Sequence, residues 1–331
     1  MKKPLLLAAL SFLSLFISCG PTEIIDLRDS ATTPTTPTTP ETPTTPEVPE
    51  FPAPTAAQFG GLQEQALENI TQGFTLDASQ QYMSFTSAKG VEVSLYTSCL
   101  TKNGNPVTGN VDVAFIEIFD RGAMALTNKP TMGITTGGEQ SLLISGGEFY
   151  INATQDGIQL QATCGISLMV PAALTGGLDT DMQAFAGTVD GDGNVVWTQQ
   201  NMEFWAGSNQ GEPGAYNAYL NDFGWFNCDK FASWSGPKTE VEVIVPQGYD
   251  YTNSFVFIAL TGEPNTLGNL SGEYPVGLEC HIIFVSGNGT DGWVYAIKSV
   301  TITDNASYTF TPDEFISGTE AEVVAAINAL P

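Results

Sequence analysis

An acidic loop that begins at Asp190 carries the residue types that bind calcium. Asp190, Asp192 and Asn194 alternate with glycine, as the first ligands of an EF-hand loop alternate with other residues. The sixth position is Val195, where that loop needs glycine, and the twelfth is Asn201, where it needs glutamate. Because strand patterns flank the loop, the sequence favours a glycine-rich hairpin turn over a metal site.

The rest of the sequence contains few residues or motifs that are typical of an enzyme active site. The single histidine, His281, lies in an apolar strand pattern, so we expect a structural role rather than zinc binding or a Ser-His-Asp triad. The sequence contains no G-x-S-x-G elbow, P-loop or dinucleotide fingerprint. Paired carboxylates, which a glycosidase needs, occur by chance in so acidic a chain. We therefore predict a protein that is not an enzyme and that uses no cofactor or metal.

Aromatic residues are concentrated between residues 204 and 234. Exposed rings offer flat apolar faces to sugar C–H groups, which makes several of these residues candidates for stacking on a glycan. The candidates are Trp205, Tyr216, Tyr219, Trp225 and Trp234. Alternatively, the rings fill a core and the seam between two domains, where each would bury about 150–250 Å². The second interpretation is favoured because the cluster straddles the expected domain boundary.

Charge excludes one large class of function. The 331 residues include 36 acidic and 10 basic side chains, which gives a net charge of −26. Nucleic-acid binding needs clustered Lys and Arg, and this chain has too few to form such a cluster. Since 42% of residues are hydrophobic and 14% are charged, most of the chain should fold. The acidic surface is expected to serve solvation.

The N-terminus has the features of a secretory signal. Lys2 and Lys3 precede an apolar run, residues 5–17, that is too short to span a bilayer. The small residue before Cys19 resembles the lipobox of bacterial lipoproteins, in which the cysteine thiol is acylated and the chain is cut before it. An ordinary signal with an incidental cysteine is the alternative. Gly20 in place of Asp favours the outer membrane. We expect residues 1–18 to be removed and the protein to be anchored in the cell envelope through lipid on Cys19.

Residues 19–60 form the expected tether. A Thr-Thr-Pro pattern repeats over residues 32–46, and such a segment should be disordered and extended at about 3.1 Å per residue. It would hold a folded part on the order of 100 Å from the membrane. The triplet around Ser30, Asp-Ser-Ala, resembles the O-glycosylation sequon of Bacteroidota, so Ser30 is a candidate for this modification.

The folded part is expected to be all-β. Short alternating strand patterns separated by Gly- and Asn-rich turns predict two β-sandwich domains, residues 61–210 and 211–331, that meet near a Gly/Pro/Ser-rich stretch. Helix signals are few. A capping pattern from Thr319 to Glu322, with Val323, Ile327 and Leu330 on one face, predicts a short C-terminal helix.

Several stretches carry a resemblance to known proteins. Residues 103–113, followed by Glu117, resemble the strand-turn-strand of ZU5-like, immunoglobulin-like β-sandwich domains. Further stretches resemble a group of uncharacterised Bacteroidota lipoproteins: residues 145–150, 153–157, 224–231 and 296–298. The chain departs from the ZU5-like pattern at residues 94–96, which read Ser-Leu-Tyr in place of Ile-Pro-Ala. The resemblance implies the fold and the envelope location but no activity.

Four cysteines remain for pairing after lipidation. An oxidising compartment permits disulfides, and four cysteines allow three connectivities. Only one of these keeps both bridges within the expected domains, so we predict Cys99 with Cys164 and Cys228 with Cys280. Alternatively, Cys228 is an unpaired cysteine that packs in the core as a small apolar residue.

The sequence therefore predicts a non-enzymatic envelope lipoprotein that binds another envelope component or supports it structurally. The alternative is a surface glycan-binding protein that uses aromatic residues of the 204–234 region. A carboxylate-based hydrolase is the least favoured reading. An open aromatic face would support glycan binding, whereas a deep pocket with paired carboxylates would support hydrolysis.

Overall fold

Strands are the predominant secondary structure in the computed structural model, which describes residues 51–191, 193–202, 204–207 and 214–331. The all-β expectation is confirmed. Cys19, Ser30, Asp192 and the Thr-Thr-Pro repeats lie outside the described residues. Among the described residues, no helix has the length and apolar character needed to cross a membrane.

The first half of the chain begins with a helix and continues as strands. Helix α1 is Ala56–Ile70, and α2, Arg121–Leu126, lies between the sixth and seventh strands. The strands in this half are β1 Gln72–Asp77, β2 Tyr82–Thr86, β3 Glu92–Tyr96, β4 Leu100–Lys102, β5 Asn105–Pro106, β6 Asn110–Ile118, β7 Met132–Ile134, β8 Gln140–Gln155, β9 Ile158–Gln159, β10 Gln161–Ala162 and β11 Ile166–Pro171.

The second half completes two sheets of the first half and adds a five-stranded sheet and two strand pairs. The strands that complete them are β12 Gln183–Val189, β13 Val195–Gln199, β14 Phe204–Gly207, β15 Ala215–Leu220 and β16 Gly224–Phe231. The remaining elements are β17 Lys238–Thr239, β18 Val241–Ile244, β19 Ser254–Leu260, β20 Gly268–Asn269, β21 Tyr274–Pro275, β22 Glu279–Gly287, β23 Trp293–Thr301, β24 Ala306–Thr309, β25 Ile316–Gly318 and helix α3, Glu320–Asn328.

Two sheets face each other across the first core. The larger follows the order β1-β6-β8-β16-β12-β13-β7, and β7 also pairs with β8, so five of its strands close into a ring. The smaller is a five-stranded sheet in the order β14-β15-β11-β3-β2. Phe115 and Phe149 from the larger sheet pack with Val93, Leu168 and Tyr216 from the smaller one. Burying one such phenylalanine contributes about 1.5–3 kcal/mol.

A second five-stranded sheet, β20-β19-β22-β23-β25, covers the other face of the larger sheet. The three helices contribute to the core between them, and Phe59 of α1 and Ile327 of α3 are fully buried there. The far side of this second sheet carries the third core, which includes Phe284 and Phe310. The short pairs β17–β21 and β18–β24 lie beside it.

The expected domain boundary between residues 210 and 211 does not coincide with a structural one. It falls between β14 and β15, which are antiparallel neighbours in one sheet. Strand β16 also pairs with β8 and β12 of the first half. The described residues from 51 to 331 belong to one compact unit. The Gly/Pro/Ser-rich composition suggested a linker between domains, but the same composition is also typical of a connection between two strands of one sheet.

The helix signals at the ends of the fold have different outcomes. Thr319 caps α3 through a capping box with Glu322, and Val323 and Ile327 are buried as expected. Helix α1 begins at Ala56, inside the segment assigned to the tether, because Thr55 and Gln58 form a capping box there.

Candidate functional site

The five aromatic candidates separate into exposed and buried residues. Trp205 and Tyr219 are 42% and 40% exposed, and their ring centroids are 5.8 Å apart. Tyr216 and Trp225 are buried, so the prediction that their rings stack on a ligand is wrong. Trp234 is half-buried and lines a groove.

Strand alternation explains why Tyr216 and Tyr219 differ. They lie three positions apart on β15, so they point to opposite faces of the five-stranded sheet. Tyr216 enters the first core, where its hydroxyl accepts a hydrogen bond from the Asp179 amide (2.8 Å) and donates to the Gly177 carbonyl (3.1 Å). Tyr219 points to solvent. Trp225 is covered instead by Tyr150 and Trp197, with ring centroids at 5.2 and 6.4 Å.

The outward surface of the five-stranded sheet β14-β15-β11-β3-β2, which we call the aromatic face, contains a second exposed pair of aromatic residues. Tyr82 on β2 and Tyr96 on β3 are directly opposite each other, with ring centroids 5.4 Å apart. Both are about half exposed. The composition around residues 204–234 gave no hint of them. Their signal was the alternation along β2 and β3, where Met83, Phe85, Val93 and Leu95 are buried and the residues between them are not.

The aromatic face is nearly uncharged. Its outward positions carry mainly aromatic, small and uncharged polar side chains, and among these described positions Glu92 is the one charged residue. The positions are Tyr82, Ser84, Thr86, Glu92, Ser94, Tyr96, Ser167, Met169, Pro171, Trp205, Gly207, Ala215, Asn217 and Tyr219. A ligand on this face would therefore meet few charged groups.

The groove beside Trp234 has a different chemistry. It has a volume of about 520 Å³, and its apolar walls include Phe231 and Trp234. Lys230 lines it and forms an ion pair of 2.5 Å with Asp179. Two further carboxylates, Asp181 and Glu263, also line the groove. Partial burial raises the pKa of Glu263, while Lys230 and Arg121 oppose that rise.

A buried polar cluster lies where β8 and β16 pair. Glu148 is opposite Asn227, and Ser145 is opposite Asp229, beside a bulge between Asn227 and Asp229. Glu148 and Asp229 are fully buried. Asp229 Oδ1 accepts a hydrogen bond of 3.2 Å from the Gly146 amide, and Asn227 Oδ1 accepts one of 3.3 Å from Ser145.

The two carboxyl groups of this cluster have strongly shifted acidities. Burial raises the pKa of Glu148 well above its ordinary value, and the neighbouring Asp229 raises it further. Burial likewise raises the pKa of Asp229. Within the described residues, neither carboxyl oxygen of Glu148 has a hydrogen-bond partner. Lys129 is close enough to oppose the shift, but burial lowers its own pKa to about 8 and its ammonium donates to the Thr127 carbonyl at 2.9 Å. The cluster is consistent with a neutral, structural pair of carboxylic acids.

His281 has the structural setting expected from its strand pattern. It is buried on β22, and its Nδ1 lies 2.9 Å from the Ser299 hydroxyl. Burial, together with the nearby Arg121, lowers the pKa of His281.

The cysteines confirm one predicted bridge and contradict the other. Cys99 and Cys164 form a disulfide, with their Cα atoms 5.3 Å apart. Cys228 and Cys280 are buried free thiols. They cannot pair because Cys228 belongs to the first core and Cys280 to the third, on different sheets. Cys228 therefore fits the alternative of a small, buried apolar residue.

The acidic loop after Asp190 is a hairpin connection, as expected. Strands β12 and β13 pair up to Val189 and Val195, and the Asp190 amide donates to the Asn194 carbonyl at 3.0 Å. The Asn194 amide in turn donates to the Asp190 carboxylate at 2.9 Å. Within the described part of the chain, no three His, Cys, Asp or Glu side chains are grouped closely enough to hold a metal ion.

Comparison with known proteins gives no further assignment. No family model matches the chain, and no curated protein and no solved structure is significantly similar to it.

Proposed function

We propose that this protein is a non-enzymatic, lipid-anchored lipoprotein of the cell envelope that binds a glycan on its aromatic face. The observation that carries the proposal is the exposed Trp205–Tyr219 pair on a solvent-facing, nearly uncharged sheet surface. In this proposal the sandwich belongs to the immunoglobulin-like, ZU5-like type of Bacteroidota lipoproteins.

The positions of the exposed rings and of the polar groups beside them support a sugar ligand. Trp205 and Tyr219 are diagonal neighbours, because Trp205 is opposite Asn217 and not Tyr219. Their rings present apolar surface to solvent, and sugar C–H groups pack against such surface. Hydroxyl and amide groups from Ser167 and Asn217 lie on the same face and supply hydrogen bonds to sugar hydroxyls. A surface with polar groups between aromatic rings suits a sugar, which has both apolar C–H faces and hydroxyl groups.

A binding experiment with matched variants tests this proposal. The wild-type protein should bind neutral polysaccharides in affinity electrophoresis, and the double variant Trp205→Ala/Tyr219→Ala should lose at least about tenfold in affinity, which is the loss of a binding hot spot. Tyr251→Ala is the control, because Tyr251 is 83% exposed and lies outside the aromatic face. Equal binding by wild type and the double variant would exclude the aromatic face as the site.

The anchor is tested separately from the ligand. In this proposal Cys19 is acylated, the Thr/Pro-rich segment is the tether and Ser30 is glycosylated. Cys19→Ser should abolish labelling with a fatty-acid probe and release the protein from membranes, while Ser18→Ala should preserve both. Continued acylation of Cys19→Ser would contradict the anchor. Stable attachment needs more than one acyl chain.

A further inference from the structure

The aromatic face contains two aromatic pairs, and the register of its strands places them on one diagonal. Tyr219 is opposite Ser167, and Ser167 is opposite Ser94. Tyr96 follows Ser94 by two positions on the same face of β3, and Tyr82 is opposite Tyr96. The path from Trp205 through Tyr219 to Tyr96 and Tyr82 therefore crosses all five strands at an angle.

Small residues separate the two pairs. Ser94 and Ser167 lie between them, and Gly165 lies beside Tyr219, where a Cβ atom would come within 3.2 Å of the Tyr219 side chain. No large side chain from these described positions interrupts the path. The surface between the pairs is therefore a shallow floor with aromatic rings at both ends.

Strand geometry gives the length of this floor. Tyr219 on β15 and Tyr96 on β3 are separated by two strand spacings, about 9–10 Å, and by one residue pair along the strand, about 7 Å. The two displacements are nearly perpendicular, so the pairs lie about 12 Å apart. This distance exceeds the width of one pyranose ring, and a monosaccharide cannot contact both pairs.

We propose that the aromatic face binds an extended, uncharged oligosaccharide that lies diagonally across the strands and stacks on both aromatic pairs. This inference rests on the proposed glycan binding and adds the second pair, the chain length and the charge of the ligand. The ligand is uncharged because the face offers no cation to pair with an acidic sugar, and because the carboxylate of Glu92 and the net charge of −26 repel anions.

The decisive experiment measures how affinity depends on chain length. Cello-, xylo- and laminari-oligosaccharides of one to six units are titrated calorimetrically against the full chain, with polygalacturonate fragments as the acidic comparison. We expect no measurable binding of monosaccharides, a rise in affinity until the chain reaches both pairs and a plateau beyond that length. We also expect at least tenfold weaker binding of the acidic fragments.

Variants distinguish this inference from the proposed function. Tyr82→Ala/Tyr96→Ala should weaken binding of the longest neutral chain at least tenfold and should not change binding of the shortest chain that binds. Ser94→Lys, which places a long side chain on the floor, should have the same selective effect, and Tyr251→Ala should have none. Circular dichroism and melting temperature establish that each variant is folded.

Three results would contradict the inference in whole or in part. Binding that depends on Trp205 and Tyr219 but not on Tyr82, Tyr96 or chain length would retain the proposed function and refute the extended site. Absence of binding to every neutral oligosaccharide in the series, confirmed on an array of neutral and acidic glycans, would refute both. Preferential binding of acidic glycans would refute the charge argument.

Discussion

The buried carboxyl pair makes the stability of this protein depend on pH in an unusual direction. Burial raises the pKa values of Glu148 and Asp229, and the neighbouring Asp229 raises that of Glu148 further, so the folded state holds protons that the unfolded chain has released. Stability therefore falls as pH rises from the ordinary carboxyl range towards the folded-state pKa. Most proteins with ion-paired surface carboxylates show the opposite slope in acid.

The size of the effect follows from linkage. Each carboxyl that is protonated when folded and ionised when unfolded lowers the free energy of unfolding by about 1.4 kcal/mol per pH unit. Between pH 5.5 and 7.5, a carboxyl that stays protonated in the folded state contributes about 2.7 kcal/mol of lost stability. Replacing Glu148 with the neutral, nearly isosteric glutamine removes one such contribution.

Urea unfolding at the two pH values tests this reasoning. For Glu148→Gln, the decrease in unfolding free energy between pH 5.5 and 7.5 should be smaller than for wild type, by at most about 2.7 kcal/mol, and the variant should be the more stable protein at pH 7.5. Glu279→Gln is the control, because it removes an exposed carboxylate at the start of β22. Contributions that all variants share, such as that of the lowered pKa of His281, drop out when the pH dependence of each variant is compared with that of wild type.

Two outcomes would refute the neutral pair. If Glu148→Gln has the same pH dependence as wild type, Glu148 does not titrate as argued. If the variant is destabilised at pH 7.5 and unchanged at pH 5.5, Glu148 is ionised and stabilised by a partner such as Lys129, since the loss of a buried ion-pair partner is costly.

Three further predictions concern stability. Gly147→Ala should lower the free energy of unfolding by about 2–4 kcal/mol, because the φ of Gly147 is +112° and the new Cβ would lie 2.5 Å from the Phe119 ring. Gly138→Ala is the control: the φ of Gly138 is +86° but there is open space around its Cβ position, so the loss in the same denaturation assay should be less than half as large. Replacing Cys99 and Cys164 with alanine should cost up to about 4 kcal/mol for a separation of 65 residues, and an unchanged melting temperature would contradict this. The melting temperature should rise smoothly with NaCl, because salt screens a net charge of −26; a sharp, saturable rise at micromolar calcium would reveal a specific site.

Local patterns in the sequence predicted local structure well. The alternation along β3, the capping box at Thr319 and the hairpin after Asp190 each depend on residues close in the chain, and all three were found. The Cys99–Cys164 bridge was also predicted, although by way of a domain boundary that the sheets do not respect. The correct pair followed because both cysteines lie well before that boundary.

Features that depend on long-range pairing were not predictable from the sequence. Alternation shows that Trp225, Asn227 and Asp229 share one side of β16, but not that another sheet and three helices cover that side. For this reason Trp225 was taken as a possible ligand contact, and the Glu148–Asp229 pair was not recognised. The same limitation concealed Tyr82 and Tyr96, which become part of a candidate site only once β2 and β3 join the sheet that contains β15.

Charge distribution connects the fold with the proposed ligand. A solvent-facing antiparallel sheet normally carries polar and charged residues on its open side. On the aromatic face, Glu92 is the one charged residue among the described outward positions. The low number of charges limits the desolvation cost for a neutral ligand, because few charged groups lose water when the ligand binds. The groove beside Trp234, with its carboxylates, lacks this property. Of the two surfaces, the aromatic face is therefore the one suited to an uncharged glycan.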